Sequence, residues 1–337
     1  MNGFERMRGT ILSRAVDHPP VILIATSVAC HMAGVKQGVW ATHSDVLADT
    51  LIEFADMIEC DGIYVTRDNL VVHEAMGGGV TTPEDDEQMG HEPVLSNLRD
   101  FEKLAIPDPW KAPGMRTVLA AAKRAVAKAG DRYYVMANID CGPFSTAANL
   151  RGVQNFLMDI ALEDPVLISE YLDFCTDLVV TYGRAMQNTG VHGIQYGDST
   201  ASLVNSEMFE QFALPYLELS MEQLAQANCD MWLHICGKTD HLLPMLKDLN
   251  MQLFEVDAMV PMARAQELVG GSVVLKGGID TMFLQDSSAE EVYQATRELL
   301  LTCGSTGLII SAGCMVPRLT PLENLRAMTR ACRDSGN

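Results

Sequence analysis

The chain has 337 residues, with 24 basic and 44 acidic side chains. The net charge of −20 excludes the basic face that a nucleic-acid binder needs and the Lys/Arg clusters that dock a protein on anionic lipid. Hydrophobic residues make up 48%, which excludes a disordered chain, and no run reaches the roughly 18 apolar residues of a membrane span.

In chain order, the N-terminal segment MNGFERMRGTILSRA is charged and amphipathic, a helical extension rather than a secretory leader. Eight short apolar runs then read as strands: 21–26 (VILIAT), 62–66 (GIYVT), 133–138 (YYVMAN), 193–196 (GIQY), 231–235 (MWLHI), 253–256 (LFEV), 273–276 (VVLK) and 308–311 (LIIS). Helical patterns separate them, over 43–58, 116–129, 206–227, 239–249, 289–302 and 321–333. Residues 71–113 are rich in Gly, Pro and acid and read as a long excursion over the mouth without a strong helix signal; its acid run 84–87 reads as a solvated loop. Residues 144–190 read as a helical insertion after strand three.

Alternating strand and helix predicts an α/β protein with a parallel sheet. Eight units in this length predict a single (β/α)8 TIM barrel domain over 1–337. A doubly wound open sheet is the competitor, but no G-x-G-x-x-G follows the first strand. The nine cysteines are odd in number and most sit in apolar runs, which predicts a reduced, cytoplasmic protein whose thiols are free, buried or metal ligands.

Barrel chemistry sits at the C-terminal ends of strands. Just past strand five come His234 and Cys236, two residues apart and so on one face of the chain; Cys314 follows strand eight. One imidazole and two thiolates make a three-ligand zinc set with an open fourth position, whereas the alternative is ordinary buried cysteine beside a lone histidine. Asp68 and Asp198 follow strands two and four, where a carboxylate can act as acid or base or orient a substrate. The competing readings are a solvated loop acid for Asp68 and a helix N-cap for Asp198. His241, on the 239–249 helix, is a candidate fourth ligand or a surface residue; His18, His43, His91 and His192 read as surface or structural.

The segments RDNLVVHEAMGGGV (67–80), GPFSTAANLRGVQNFLMDIALEDP (142–165), GDSTASLVNSEMFEQFALPYL (197–217), LHICGKT (233–239) and SAGCMVPRLTPLENLRAM (311–328) occur in an order that resembles the uroporphyrinogen decarboxylase superfamily. Within it, the chain looks like the methylcobalamin:coenzyme M methyltransferase branch. The resemblance implies the barrel, zinc (Zn2+) held by His234, Cys236 and Cys314, and methyl transfer between a corrinoid and an acceptor thiol that zinc activates. Asp68 falls where the decarboxylases keep their catalytic aspartate.

Two stretches depart from the pattern. The arginine-rich N-terminal signature of the decarboxylases is replaced by HPPVILIATSVACHMAGVKQG (18–38), which disfavours a porphyrin polyacid as substrate, as does the net charge. LKGGID (275–280), with Lys276, is unlike the usual seventh strand. The expected function is a zinc-dependent corrinoid methyltransferase acting on a thiol such as coenzyme M. No D-x-H-x-x-G element is present, so methylcobalamin or another corrinoid comes on a partner protein. The alternatives are demethylation of a methoxy or methylamine donor onto a corrinoid protein, transfer to tetrahydrofolate, a decarboxylase-like lyase, and a non-catalytic corrinoid-handling barrel.

Overall fold

The computed structural model describes every residue except Asp86, His91, Ala227, Gly270 and Asn337. The expectations for His91, for Asp86 in the acid run and for the last residue of the 206–227 helix lie outside the described residues.

Seven parallel strands form one curled sheet, and each strand pairs with the next in chain order. They are β1 (Gly62–Val65), β2 (Tyr134–Cys141), β3 (Gly193–Gly197), β4 (Asp230–Ile235), β5 (Leu253–Val256), β6 (Val274–Ile279) and β7 (Leu308–Ala312). Almost every strand residue is buried, as a parallel sheet covered by crossover helices requires. The concave face packs Ile22, Tyr64, Tyr134, Met136, Trp232, Leu253, Val274 and Ile309 into one apolar cluster with Met7 and Ile11.

Met7 and Ile11 come from the N-terminal helix Gly3–Ile11, which Asn2 and Glu5 start with a capping box. That helix lies across the N-terminal ends of the strands. Arg6 pairs with Asp61 just before β1, Arg8 pairs with Asp230 at the start of β4, and Phe4 N–H donates to the Arg132 carbonyl just before β2 at 2.9 Å. The opposite, C-terminal end of the sheet is therefore the open one.

Segment 21–26, expected as the first strand, forms no ladder. It makes one parallel bridge, Val21 to Ile310, and the helix Ser27–Ala33 begins right after it. Two local causes are visible. Pro20 has no N–H, and the Val21 N–H is taken by the Asp61 carboxylate at 2.7 Å rather than by a neighbouring strand. The segment still touches both edges of the sheet: Ile22 N–H donates to Ile310 O in β7 (3.3 Å), and Asp61 N–H, preceding β1, donates to Val21 O (2.8 Å).

Three further expectations change. The 71–113 excursion is not structureless, for it holds the helix Val71–Ala75, a two-stranded ribbon of Val80–Thr81 and Met89–Gly90, and a 3-10 turn at Leu98–Lys103. The 206–227 helix is two helices, Ser206–Phe212 and Leu214–Leu224, because Pro215 starts a new one. The 239–249 helix shrinks to Leu243–Leu246, leaving His241 exposed ahead of it. Within 144–190 lie three helices, Pro143–Arg151, Val153–Leu162 and Pro165–Gln187. No helix among the described residues is long and apolar enough to cross a membrane.

Candidate metal centre and cavity

Strand β4 sets the site. Alternate residues share a face, so Trp232 in the concave apolar layer puts His234 one step nearer the open end on the same side. Register places His234 beside Glu255 of β5, and Glu255 beside Lys276 of β6. A polar layer thus lies directly above the apolar one.

In that layer Glu255 and Lys276 form an ion pair at zero exposure, and Gln195 Nε2 donates to Glu255 Oε2 at 2.6 Å. Burial alone pushes the Glu255 carboxyl up, but Lys276, His234 and Gln195 outweigh it and hold it below the usual range. His234 Nδ1 lies 3.1 Å from the Glu255 carbonyl oxygen. A proton on Nδ1 donates there, which leaves Nε2 to face the open end as a ligand.

Cys236 and Cys314 complete a triangle. His234 Nε2 lies 2.8 Å from Cys236 Sγ, and Cys236 Sγ lies 3.7 Å from Cys314 Sγ. The three donor atoms all fall within 4.8 Å of one another. Cys314 reaches the triangle because residue 313 is glycine: a Cβ there would lie 2.3 Å from the backbone nitrogen of Ala258, in the loop after β5. Cys236 is set from behind, for Asp257 Oδ2 accepts from the next N–H, that of Gly237, at 2.7 Å.

The donor set fits zinc on two counts. One nitrogen and two sulfurs are the ligand types zinc takes, and two Zn–S bonds of about 2.3 Å at a tetrahedral angle span about 3.8 Å, close to the observed sulfur separation. In the metal-free chain the three donors compete for protons, which a bound ion would displace. The hydrogen bond from Cys314, with burial opposing it, pulls the Cys236 thiol below its ordinary range, while the same hydrogen bond and burial raise Cys314. Burial would lower His234, but Glu255 and Cys314 overcome it and lift the imidazole to about 9. The site already favours charge separation among its own donors. His241 is exposed and is not among the grouped ligand atoms.

A cavity of about 420 Å³ opens over the triangle, and Tyr64, Arg67, Asp68, Glu87, Asn138 and Cys141 are among its walls. Asp68 lies on this wall. Its Oδ2 accepts from Arg67 Nε at 2.6 Å and its Oδ1 from Leu70 N–H at 2.6 Å. Burial raises its pKa, with Arg67 opposing. Asp198 is placed differently. It is fully buried, is not among the lining residues, and its Oδ1 accepts the Ser145 N–H at 2.7 Å. It thereby caps the helix Pro143–Arg151, which precedes it in the chain. Burial raises it to about 6, against the bonds from Ser145.

Two groups escaped the sequence reading. Asp140 at the end of β2 is raised to about 7 by burial, and its Oδ2 accepts from Val72 N–H at 2.6 Å. Gln195, inside an apolar strand, joins the layer beneath the triangle. The available signal was one polar residue in each of several otherwise apolar strands: Asn138, Gln195, His234, Glu255 and Lys276.

Comparison with known proteins agrees with the fold. The family model for uroporphyrinogen decarboxylase (URO-D) matches residues 3–335. A methylated-thiol–coenzyme M methyltransferase of Methanosarcina mazei is 28% identical, with 99% of this chain and 90% of that protein covered. A methylcobamide:CoM methyltransferase of Methanosarcina acetivorans is 25% identical over 98% of this chain and 97% of its own. A uroporphyrinogen decarboxylase of Myxococcus xanthus is 24% identical over 80% of this chain and 77% of its own. Among solved structures, a methyltransferase from Methanosarcina mazei superposes with a TM-score of 0.90 at 22% identity, covering 99% of both chains.

Proposed function

The chain belongs to the uroporphyrinogen decarboxylase family, and from that premise we propose that it is a zinc-dependent methyltransferase moving a methyl group from a corrinoid to a small thiol. The observation that carries this reading is the His234, Cys236 and Cys314 triangle on the floor of the cavity. The full-length similarity to methyltransferases that act on coenzyme M supports it. We also read residues 20–22, bonded to both sheet edges, as the eighth stave of a closed barrel.

His234, Cys236 and Cys314 would hold the ion. Zinc bound there would supply a Lewis acid that lowers the pKa of an acceptor thiol and keeps its sulfur nucleophilic near neutral pH. Strand register brings the backbone carbonyl of Glu255 to the His234 ring and so places the ligand nitrogen, while the Glu255 carboxylate, held by Lys276 and Gln195, lies 4.0 Å from the same ring nitrogen. Asp68 faces the cavity and orients the substrate; Asp198 positions the helix Pro143–Arg151, which carries the cavity-lining Ser145 and Asn149. A thiol bound there would lose its proton to solvent and take the methyl group, and the corrinoid would supply that methyl as the donor. The chain carries no corrinoid-binding motif, so the corrinoid is presented by a partner protein.

The test joins metal analysis to turnover. The purified protein is expected to hold one zinc, and Cys236→Ala and Cys314→Ala to lose it together with thiol-dependent loss of the methyl–cobalt absorbance of methylcobalamin. A metal-free protein with undiminished turnover would overturn the reading, as would transfer to tetrahydrofolate but to no thiol.

A further inference from the structure

One hydrogen-bond donor on the cavity wall is left over by the bonds around it. Tyr64 stands on β1 in the apolar layer and is also among the residues that line the cavity over the triangle. Its ring therefore reaches the cavity from the floor side. Asn138 lies on β2, two residues beyond Met136, the register partner of Tyr64, and so on the same face one step nearer the open end. Asn138 Oδ1 accepts the Asp140 N–H at 2.5 Å, which fixes which end of the amide is which. Asn138 Nδ2 is then the donor that meets the Tyr64 hydroxyl oxygen at 2.9 Å.

A hydroxyl both accepts and donates. With its oxygen accepting from Asn138, the Tyr64 O–H needs a different group to donate to, and Tyr64 has no other hydrogen-bond partner among the described residues. Burial, with the charges of Glu255 and Cys314 adding to it, holds the phenol well above its ordinary range against the Asn138 bond, so the proton stays on oxygen at neutral pH. Glu255 belongs to the polar layer and Cys314 to the triangle, so the hydroxyl lies within electrostatic reach of both. A ligand that enters from the open end puts its innermost atom over the triangle and its tail towards the mouth. A donor that rises from the apolar layer meets that innermost atom, which for an acceptor thiol is sulfur.

We propose that Tyr64 is a further substrate-binding residue, whose phenol O–H, aimed by Asn138, donates to the sulfur of the acceptor thiol over the triangle. This rests on the thiol-acceptor reading above and adds a contact between this chain and the reacting atom. A hydrogen bond to a thiolate is charge-assisted, whereas a thioether sulfur is a weak acceptor. The bond is therefore strongest before transfer and is given up as sulfur takes the methyl group. It favours binding of the thiol and release of the product rather than the transfer itself.

Tyr64→Phe removes the hydroxyl and keeps the ring packed. The probes are coenzyme M and 2-mercaptoethanol, which share a sulfur and differ in tail. On the zinc-loaded protein, Tyr64→Phe is expected to keep the parent's zinc content and to weaken both thiols in calorimetry by the same factor, about tenfold, as the loss of one charge-assisted hydrogen bond gives. KM for either thiol should rise by that factor in the methylcobalamin assay while kcat does not fall. In the cobalt(II)-substituted protein, the thiolate-to-cobalt charge-transfer band that appears on adding thiol should move to longer wavelength, because the sulfur no longer shares its charge with a donor. Asn138→Ala keeps the phenol but removes its brace. It should weaken both thiols by a smaller factor and add nothing in the Tyr64→Phe background. Thiol affinity and band unchanged in Tyr64→Phe overturn the inference and leave methyl transfer standing. A loss confined to one of the two thiols also overturns it, for the O–H then reads the tail. A zinc-loaded parent that binds neither thiol overturns the thiol-acceptor reading, and this inference with it.

Discussion

At the scale of single residues, the site is built by taking side chains out of water and then compensating them unevenly. The triangle residues are compensated by each other and by Glu255; Asp140 is compensated only in part, by the Val72 N–H, Cys141 and Arg67. It sits at φ 74°, a left-handed conformation that Asp and Asn tolerate better than other side chains, with one bond from Val72 N–H. Burial lifts its pKa from 3.8 to about 7. Between those values the folded chain holds a proton that the unfolded chain has lost, so this group's contribution to stability falls as pH rises from about 4 to about 7, by at most about 4 kcal/mol. Asp140→Asn keeps the acceptor and the backbone preference but removes the titration. Its stability relative to the parent, followed by urea unfolding from pH 4 to 8, is expected to improve across that interval; a constant difference would show that Asp140 does not titrate there. Asp140 lies two residues past the third apolar run, yet how far burial outweighs its hydrogen bonds and the pull of Arg67 is a tertiary property that no local pattern carries.

The elements show what patterning can and cannot deliver. Seven of the eight expected strands form because each is a short apolar run between helical repeats. Segment 21–26 looks the same in sequence; Pro20, which has no N–H, and the distant Asp61 carboxylate, which takes the Val21 N–H, together draw its backbone out of the ladder. The triangle was legible for a similar reason: a two-residue spacing on a strand fixes the face, and barrel geometry fixes the end. The layer under it was not, because register between strands decides that His234, Glu255 and Lys276 lie side by side.

Asp198 was legible only as a type of role, a cap, with the helix it serves misplaced. The helix Pro143–Arg151 begins after Gly142, which has no side chain to cap it, and Asp198 from the loop after β3 fills the place. A Cβ at residue 142 would lie 2.8 Å from the Asp198 carboxyl carbon, so glycine is what admits the cap. Asp198→Ala is expected to cost about 1–3 kcal/mol and Asp198→Asn less, since an amide oxygen still accepts. Gly142→Ala acts on the same contact, so the Gly142→Ala, Asp198→Ala double variant should fall short of the sum in urea unfolding. Additive losses would assign the two residues separate roles.

For the whole molecule, the question is what holds a curled sheet shut at the end away from the chemistry. Asp61 is the common point. Its Oδ2 accepts the Val21 N–H, its backbone N–H donates to Val21 O, its carbonyl accepts from Tyr134 N–H of β2 at 3.0 Å, and its Oδ1 meets Arg6 of the N-terminal helix. Segment 20–22, β1, β2 and the helix that closes the floor are thus tied through one residue. Arg6 and Asp61 are both nearly buried, and burial raises the Asp61 pKa against the pull of Arg6. Arg6→Met removes the counter-charge and leaves a buried carboxylate, which is expected to cost about 3–5 kcal/mol at neutral pH. Because Asp61 can escape by taking a proton, that cost should shrink as pH falls towards 4. Asp61→Asn keeps an acceptor for Val21, so the Arg6→Met, Asp61→Asn double variant should recover part of the loss at pH 7. The triangle of His234, Cys236 and Cys314 lies at the opposite end of the sheet, so on the proposed zinc reading the metal content should survive in the double variant even where the melting temperature falls. A loss of zinc in step with stability would mean that the floor and the mouth unfold as one unit.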